Sequence, residues 1–423
     1  MSEPHVEVFS ETPVDAPESL NVSPFEGPEK LLEIWFAESA EAVETERDGR
    51  KGLRVVPRAV WEEMLDIVKC KVLSVIEGRE MDAYLLSESS FFVSPHRLIL
   101  KTCGTTLNLY GLPRILDIAA EHCNMHTVHR CFYSRKSFMF PERQLGPHRD
   151  WTAEVGYLDD LFKGRPGLGL GDGAGYTVGK VNGDHWLLYV IGPEDEGSDG
   201  GSEKEETVAP STSLCPPDYT VEILMSKLGA PARRPFFYTE DEVADITHTT
   251  PHERGAATAN QIGISGILPK DATTLDSFAF EPCGYSANAL VHHGAGEGYY
   301  TIHVTPEEGW SYASFECNVP LQSGLHSDAP RDDGMPTLLE VIQRVTAIFQ
   351  PGHLSVTLFV SSEGDVDPNQ ASPIETAQRV FARALAPGGY HRTDKINYEF
   401  GGYDLAFASF EKKHKGANGH THQ

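Results

Sequence analysis

The chain has 423 residues, enough for two or three domain-sized units, and its 40% hydrophobic and 23% charged content is that of a globular protein. Its formal net charge of −27 makes nucleic acid and anionic lipid poor partners and mildly favours cationic ligands. No run of about eighteen apolar residues occurs, so no membrane span is predicted. The seven cysteines are scattered and never form CxxC, which is typical of free thiols in a reducing cytoplasm.

The chain begins with a polar tail and a segment of mixed character. Residues 1–22 are acidic and rich in proline, so we predict a disordered tail without a secretory signal. Pro28 opens PEKLLEIWFAESAEAV, and because proline suits the first helical position, we predict a helix there. MDAYLLSESSFFVS and HRLILKTCG are predicted to be two strands joined by a turn. A helix follows from about Leu107 to Cys123.

The middle of the chain contains a helix, a hairpin and two insertions. PHRDWTAEVGYLDDLF is predicted to be helical, and the Asn-Gly-Asp turn between GYTVGKV and HWLLYVIG predicts a hairpin. Residues 193–215 are acidic, rich in Gly and Ser and almost free of apolar side chains, which indicates a disordered insertion. We predict a second loop insertion at residues 323–336.

The pattern of elements then begins again. GYYTIHVTP and WSYASFECN are predicted strands, TLLEVIQRVTAIF a helix and LSVTLFVSS a strand, an order similar to that of residues 82–123. Ser89 precedes Cys103 by 14 positions, and His303 precedes Cys317 by the same number. This equal spacing indicates a duplicated unit in which Ser89 and His303 occupy equivalent positions. Short strands mixed with helices favour α+β layers over a doubly wound sheet, and no GxGxxG or GxxxxGK[ST] loop supports a nucleotide site.

Several side chains could carry chemistry, although the residues alone leave structural roles open. Ser89 follows Glu88 in LSESS on an otherwise apolar strand, where serines usually satisfy nearby backbone groups. Cys103 would ordinarily be a small buried side chain, because thiol reactivity depends on an environment that the sequence does not reveal. A lone strand histidine such as His303 is by itself more often a satisfied core residue.

Longer segments carry a resemblance to a known family. Several segments resemble, in the same order, signature segments of the eukaryotic S-adenosylmethionine decarboxylases. They are FEGPEKLLEIWF, YLLSESSFFVSPHRLILKTCGTT, FYSRKSFMFP with PHR, PPDYTVEILMS, FEPCGYSANAL and YYTIHVTPEEGWSYASFECN. The resemblance spans about residues 24–410. It implies an αββα sandwich of two stacked antiparallel sheets with helices outside. We therefore expect one catalytic domain, residues 23–410, followed by a disordered tail, residues 411–423.

The resemblance also implies that the chain is a proenzyme that cuts itself between Glu88 and Ser89. The Ser89 hydroxyl would attack the Glu88 carbonyl, and the resulting ester would undergo β-elimination. This leaves a small subunit ending at Glu88 and a large subunit headed by a covalent pyruvoyl group derived from Ser89. Because an isolated hydroxyl is a poor nucleophile, it needs a base and an oxyanion stabiliser. The family assigns processing roles to residues matching Glu29, Ser286 and His303.

Decarboxylation follows from the same resemblance. The pyruvoyl group would form a Schiff base with S-adenosylmethionine and accept electrons as carbon dioxide leaves, giving the aminopropyl donor for spermidine and spermine synthesis. Cys103 matches the proton donor to carbon. Residues matching Phe25 and Phe280 sandwich the adenine in this family, and one matching Glu307 binds the ribose hydroxyls. The substrate-binding set is completed by Glu26, although the helix dipole alone could explain that residue, and by Glu88.

A second acidic group matches the putrescine site of the diamine-stimulated branch of the family. It comprises Glu33, Asp218, Thr220, Glu222 and Glu316. Clustered carboxylates inside a core need cations or protons to offset their desolvation, whereas acids on a solvated strand face would need neither. Branches with an arginine at the position matching Phe132 do not require putrescine. Because this chain keeps the phenylalanine, putrescine is predicted to be an activator.

Departures from the family pattern are few. Cys131 replaces a phenylalanine, and an added HHGAGEG turn precedes Tyr299. The histidines of the glycine-rich C-terminus do not predict a metal site. A homodimer is possible, and a cytoplasmic location is expected.

Two other functions compete with this interpretation. One is an inactive paralogue that activates a catalytic partner, but Ser89, Cys103 and His303 are all retained. The other is a thiol hydrolase that uses Cys103 and a histidine and would need no chain cleavage.

Overall fold

Two large antiparallel sheets form the framework of the molecule. A computed structural model describes residues 24–87, 89–165, 167–193, 218–240, 242, 249–294, 296–325, 334–361, 372–400 and 402–413. The predicted tail at residues 1–22, all but Pro193 of the insertion at 193–215, and the centre of the loop at 323–336 lie outside these residues.

The first sheet is built from the N-terminal half of the chain. Its order is β4-β5-β6-β7-β1-β8-β10-β9. These strands are β1 (Lys30–Trp35), β4 (Val72–Glu77), β5 (Asp82–Leu86), β6 (Ser89–Val93), β7 (Arg97–Thr102), β8 (Arg130–Lys136), β9 (Ala174–Gly179) and β10 (His185–Ile191). A separate small ribbon pairs β2 (Glu46–Arg47) with β3 (Arg50–Lys51).

The second sheet is built from the C-terminal half and repeats the same arrangement. Its order is β12-β13-β14-β15-β11-β16-β18-β17. The strands are β11 (Tyr219–Leu228), β12 (Thr273–Ala279), β13 (Tyr285–His293), β14 (Gly296–Thr305), β15 (Tyr312–Cys317), β16 (Pro351–Ser361), β17 (Tyr390–Phe400) and β18 (Tyr403–Lys412). Because β18 continues through Lys412, the strand passes the predicted start of the C-terminal tail.

The identical strand order of the two sheets confirms the predicted duplication. Without β2 and β3, the eight strands of each half follow one another in the same spatial sequence, so β6 corresponds to β14. The expected equivalence of Ser89 and His303 is wrong in detail. His303 faces the space between the sheets, where it contacts Ser90, whereas Ser89 lies on the opposite face of β6. The spacing in the sequence misses this difference because it does not tell which face of its strand each side chain occupies.

Helices cover the outer faces of both sheets and give the predicted αββα layers. They are α1 (Arg58–Ile67), α2 (Leu112–Cys123), α3 (Trp151–Lys163), α4 (Ala230–Arg233), α5 (Pro251–Ile262), α6 (Leu338–Phe349) and α7 (Pro373–Leu385). Helices α1 to α3 share one apolar core with the outer face of the first sheet, and α5 to α7 share another with the second sheet. Two smaller apolar clusters join the inner faces of the sheets.

Most predicted elements match the structure, but the first predicted helix is wrong. Lys30–Trp35 is strand β1, which pairs with β7 on one side and β8 on the other. Its alternate side chains face opposite layers, Leu32 and Ile34 outward and Leu31 and Trp35 inward. A central strand that is covered on both faces shows little amphipathic contrast, so its apolar positions also fit a helix.

The segment at residues 81–94 also differs from its prediction. It forms two strands, β5 and β6, rather than one, and Leu86 pairs with Ser89 across their hairpin. The helices at Leu112–Cys123, Trp151–Lys163 and Leu338–Phe349 and the hairpin of β9 and β10 are confirmed. Among the described residues, no helix is long and apolar enough to cross a membrane.

Candidate active site

The predicted processing and proton-donor residues gather at one end of the stacked sheets. In the first sheet, Ser89 begins β6 and Cys103 directly follows β7. In the second sheet, Ser286 lies near the start of β13 and His303 near the end of β14, where the two residues are register partners. All four side chains are buried. Glu88, on the other side of the predicted cleavage point, lies outside the described residues.

His303 is held between two serine hydroxyls. Its Nδ1 lies 2.9 Å from Ser286 Oγ, and its Nε2 lies 2.9 Å from Ser90 Oγ. Burial, reinforced by the nearby Lys101 charge, lowers the pKa of His303 to about 3. The imidazole is therefore neutral at neutral pH, with one nitrogen able to accept a proton.

The serine that contacts His303 is Ser90 rather than Ser89. Ser90 also donates to Asn288 Oδ1 at 2.6 Å and lies 2.9 Å from Thr301 Oγ1. Ser89 Oγ lies on the opposite face of β6, 3.9 Å from Cys70 Sγ. Sequence reasoning missed the roles of Ser90 and its partners. Strand alternation was the signal that could have separated the two serines, since consecutive side chains point to opposite faces.

The segment before β1 threads between the two sheets. Glu29 accepts hydrogen bonds from Tyr312 Oη at 3.0 Å and from Ser314 Oγ. Burial raises the pKa of Glu29, although Lys101 opposes the rise. A side chain at Gly27 would bring a Cβ to 2.6 Å from Tyr312 Cβ, so only glycine fits this crossing. Glu29 is thereby fixed beside β15, the strand next to that of His303.

Cys103 lies in a tightly held loop. It is 4% exposed, and its carbonyl accepts a hydrogen bond from Thr106 Oγ1 at 2.7 Å. The next residue, Gly104, donates its N–H to the Glu26 carbonyl at 3.0 Å. Its own carbonyl accepts from Lys30 Nζ at 2.9 Å. The thiol is thus presented from a fixed backbone.

The candidate substrate residues lie around the same end of the sheets. The Phe25 ring packs on Gly104, 3.3 Å from where a side chain would begin. Phe280 follows β12 and lies 4.8 Å, between ring centroids, from Phe278. Glu307 follows β14 and is partly exposed. The three residues thus lie at the end of the sheets that also holds the thiol loop.

Glu26 has a more specific position than the sequence indicated. Its carboxylate accepts hydrogen bonds from the backbone N–H groups of Met139 and Phe140, both at 2.8 Å. Burial raises the pKa of Glu26, while these two hydrogen bonds lower it. The carboxylate therefore anchors the loop after β8.

The predicted diamine residues form a largely buried ionic group between the sheets, which we call the inner cluster: Glu33, Asp218, Glu222 and Glu316 with Arg97 and Lys101. Arg97 Nη1 lies 2.9 Å from Asp218 Oδ1 and 3.2 Å from Glu33 Oε1. Lys101 Nζ lies 3.0 Å from Glu222 Oε1 and 2.7 Å from Glu316 Oε2. Thr220 lies between Asp218 and Glu222 on β11, and alternation places it on the same face.

The inner cluster holds more carboxylates than cations. Burial raises the pKa values of Glu33 and Glu222 to about 7, against the attraction of Arg97 and Lys101 respectively. The same carboxylates outweigh burial and hold the pKa values of Arg97 and Lys101 above their ordinary values. Four carboxylates face two permanent cations. Full ionisation would leave two negative charges uncompensated.

Ser89 is suited to become a shielded carbonyl group. It is 1% exposed and begins the strand after a hairpin, so a carbonyl formed there would be screened from bulk water. The buried neutral histidine lies beside the neighbouring residue, and the Cys103 loop follows the adjacent strand. The residues present therefore fit a prosthetic group made from Ser89.

Comparisons with known proteins identify the family of the chain. The family model described as adenosylmethionine decarboxylase matches residues 22–411. The S-adenosylmethionine decarboxylase proenzyme of Xenopus laevis is 36% identical over 392 residues, 92% of this chain and 95% of that protein. The proenzyme of Saccharomyces cerevisiae is 34% identical over 410 residues, 92% of this chain and 93% of that protein.

Among solved structures, the Trypanosoma brucei AdoMetDC-delta26 monomer matches with a TM-score of 0.47 and 22% identity. The match covers 77% of this chain and 99% of that one. The family-model match and the two full-length relatives decide the assignment. The chain therefore belongs to the adenosylmethionine decarboxylase family and is a carboxy-lyase.

Proposed function

We propose that the chain is a self-processing proenzyme that decarboxylates S-adenosylmethionine. It would cut itself between Glu88 and Ser89 and supply the aminopropyl donor for spermidine and spermine synthesis. The observation that carries this proposal is the buried pair of Ser286 and His303 beside Ser90, the residue that follows the proposed nucleophile. A cytoplasmic location and a homodimer remain predictions.

Chain cleavage requires a proton acceptor near the serine hydroxyl and a stabiliser for the developing oxyanion. The two ring nitrogens of His303 lie at hydrogen-bond distance from the hydroxyls of Ser286 and Ser90, so the unprotonated nitrogen can accept from a hydroxyl while the other fixes the ring orientation. Ser90 extends this hydrogen-bond network to the residue next to the proposed nucleophile. Burial of the group excludes water, which would otherwise compete as a nucleophile.

Decarboxylation would use the same end of the sheets. The pyruvoyl group formed from Ser89 supplies the electron-accepting carbonyl. Cys103 would hold the proton that replaces the lost carboxylate on the substrate carbon. Phe25, packed on Gly104, would present its ring to the adenine and so orient the substrate toward the thiol loop. Glu307, partly exposed after β14, would accept hydrogen bonds from the ribose hydroxyls.

The test is a denaturing gel with intact mass spectrometry of the purified protein. We expect two fragments, residues 1–88 and 89–423, with the larger blocked by pyruvate. Ser89→Ala should remain one inactive chain, whereas Ser87→Ala, a matched control in the turn after β5, should process normally. A cleaved and active Ser89→Ala variant would refute the mechanism. An intact wild-type chain with thiol-dependent hydrolase activity would favour the hydrolase alternative.

A second test separates processing from proton donation. Cys103→Ala should still cleave substantially, because its thiol is not assigned to chain cutting. It should decarboxylate poorly and accumulate large subunit whose pyruvoyl group has been converted to an amine by misdirected protonation. The mass of the large subunit before and after turnover measures this conversion. Unchanged turnover would remove Cys103 from the proton-donor role.

We also propose that putrescine binds in the inner cluster and activates the enzyme. A diamine carries two positive charges, which matches the two carboxylates in excess. Lys101 lies in the same cluster and also acts electrostatically on Glu29 and His303. A change in the cluster's charge would therefore reach the processing residues across the shared sheets.

A further inference from the structure

One buried cation near Cys103 has no part in the chemistry described above. Lys30 begins β1, pairs in register with Thr102, and is fully buried. Strand alternation directs its side chain to the outer face of the first sheet, the face of Leu32 and Ile34. Burying a lysine costs several kcal/mol unless its charge is used, so a buried lysine beside a reactive thiol is a candidate for function.

The ammonium of Lys30 is held by uncharged oxygen atoms. Nζ donates to the Gly104 carbonyl at 2.9 Å and to Gln144 Oε1 at 3.4 Å. Gln144 Nε2 donates to the same Gly104 carbonyl at 3.3 Å. One hydrogen bond of Nζ therefore goes to Gly104, the residue that follows Cys103. The other goes to Gln144, an uncharged side chain that also contacts Gly104.

Charged and titratable groups surround Lys30 on every packed element. They are Glu26 before β1, Cys103 after β7, Arg135 on β8, Glu154 on α3, His148 before α3, and Cys70 before β4. Burial lowers the pKa of Lys30 to about 8, and Cys103 is the strongest of the charges that raise it. Cys70 Sγ in turn lies 3.9 Å from Ser89 Oγ, so the lysine lies near both ends of the proposed chemistry.

The two nearby carboxylates are already occupied by other donors. Glu154 accepts both hydrogen bonds of Arg135 Nε, at 2.8 and 3.1 Å. Glu26 accepts from two backbone N–H groups. The hydrogen bonds of Lys30 Nζ therefore go to the Gly104 carbonyl and Gln144 rather than to these carboxylates, although both carboxylates also act on its charge.

We propose that Lys30 is a positioning residue that stabilises the thiolate left on Cys103 after proton donation and holds the Cys103 loop through the Gly104 carbonyl. The inference rests on the proposed function, in which Cys103 is the proton donor. The thiol proton passes to the substrate carbon, the S–H electron pair stays on sulfur, and the ammonium balances the resulting charge. A proton from water later restores the thiol.

The experiment uses the uncut Ser89→Ala precursor, so that no pyruvoyl chemistry is needed. Iodoacetamide labelling of Cys103 is followed by peptide mass spectrometry from pH 6 to pH 10. Adding Lys30→Gln should move the midpoint of labelling upward by about one pH unit and slow labelling at pH 7 about tenfold, because an adjacent cation favours the thiolate. Lys30→Arg, which keeps the charge, should label at the precursor's rate at pH 7.

Gln144→Leu is the matched control, because it removes the other side-chain contact with the Gly104 carbonyl without changing charge. Its labelling midpoint should not move if the lysine acts by charge. If Lys30→Gln does not fold, the Ser89→Ala precursor and its Lys30→Arg form are compared above pH 8. There lysine loses its proton and arginine does not, so Lys30→Arg should label faster. Identical labelling curves for the Ser89→Ala precursor and its Lys30→Arg form above pH 8 would overturn the proposal. So would equal labelling midpoints in the Ser89→Ala precursor with and without Lys30→Gln.

The processed enzyme gives an independent outcome. Lys30→Gln should cleave its chain as the wild type does and convert a several-fold larger fraction of its pyruvoyl groups to amine during turnover. Normal cleavage with an unchanged labelling midpoint would refute only the role of Lys30. Failure of wild-type cleavage, with the midpoint shift intact, would refute only the proposed function.

Discussion

The first sheet carries a buried ionic group on each face, and the two differ in their charge balance. The outer cluster comprises Tyr133, Arg135, His148 and Glu154, beneath α3. Its single carboxylate, that of Glu154, accepts hydrogen bonds from Arg135 Nε and from Tyr133 Oη, the latter at 2.6 Å. The same carboxylate lies 2.8 Å from His148 Nδ1. The inner cluster, between the sheets, has four carboxylates and two cations.

The difference in balance separates a structural network from a ligand site. In the outer cluster one guanidinium neutralises one carboxylate, and burial lowers the pKa of His148, which keeps the imidazole uncharged. In the inner cluster burial raises the pKa values of Glu33 and Glu222 to about 7. A balanced buried pair needs nothing further, whereas surplus carboxylates must take up protons or a cation.

The largest effect is expected from breaking the balanced cluster. Glu154→Gln keeps the shape of the side chain but leaves Arg135 buried without a counter-ion, so the free energy of unfolding should fall by about 3–5 kcal/mol. Equilibrium denaturation in urea measures it. Glu121→Gln on α2 removes a solvent-exposed partner of Arg114 and should cost less than about 1 kcal/mol. Equal losses in the two variants would show that the outer cluster does not contribute as a buried pair.

The next effect concerns the pH dependence of stability. A carboxyl whose pKa is raised in the folded state binds its proton more tightly there than in the unfolded chain. Stability should therefore fall as pH rises from about 4.5 through about 7, by on the order of 3 kcal/mol for each of Glu33 and Glu222.

Denaturation curves at several pH values, without diamine, measure this slope. Glu33→Gln and Glu222→Gln should each make it shallower over the same window, because each removes one titrating carboxyl. A slope in Glu33→Gln as steep as in the wild type would contradict the charge surplus.

Much of this arrangement could be predicted from the sequence, and the rest depends on how the sheets stack. Local patterns predict several strands and helices α2 and α6, and the family resemblance names Ser286 and His303 together as processing residues. Neither predicts the roles of Arg97 and Lys101. Asp218 and Glu316, their partners on the second-sheet side, lie 121 and 215 positions away in the sequence, and strand pairing within one sheet does not join them to Arg97 and Lys101. Only face-to-face packing makes these residues neighbours.

Ser90 and strand β1 were missed for a related reason. A shift of one residue along a strand reverses the face, so identifying LSESS does not tell which serine meets His303. The segment of β1 has apolar residues that suit either a helix or a doubly covered strand, and its pairing with β7 and β8 decides between them.

A smaller effect is expected when putrescine meets the surplus charge. The diamine should accelerate processing, decarboxylation or both, with a coupling free energy of about 1–3 kcal/mol. Asp218→Asn should lose most of this response and keep its basal activity, because one charge is removed with little change of shape. Rates with and without putrescine at constant ionic strength provide the measurement, and Glu121→Gln serves as a control for net charge. An absent response in the wild type would show that Arg97 and Lys101 already satisfy the cluster.

The smallest effect tests whether neutral donors matter in the inner cluster. Tyr403 Oη donates to Asp218 Oδ2 at 3.3 Å, a long hydrogen bond, while its ring stacks on Phe359 with centroids 4.6 Å apart. Tyr403→Phe removes the hydroxyl and keeps the ring, so the loss of stability should be at most about 1 kcal/mol. Asp218 keeps its ion pair with Arg97, which carries most of its electrostatic stabilisation. The putrescine response should therefore survive, and loss of that response in Tyr403→Phe would mean that hydrogen-bond geometry, rather than net charge, controls the cluster.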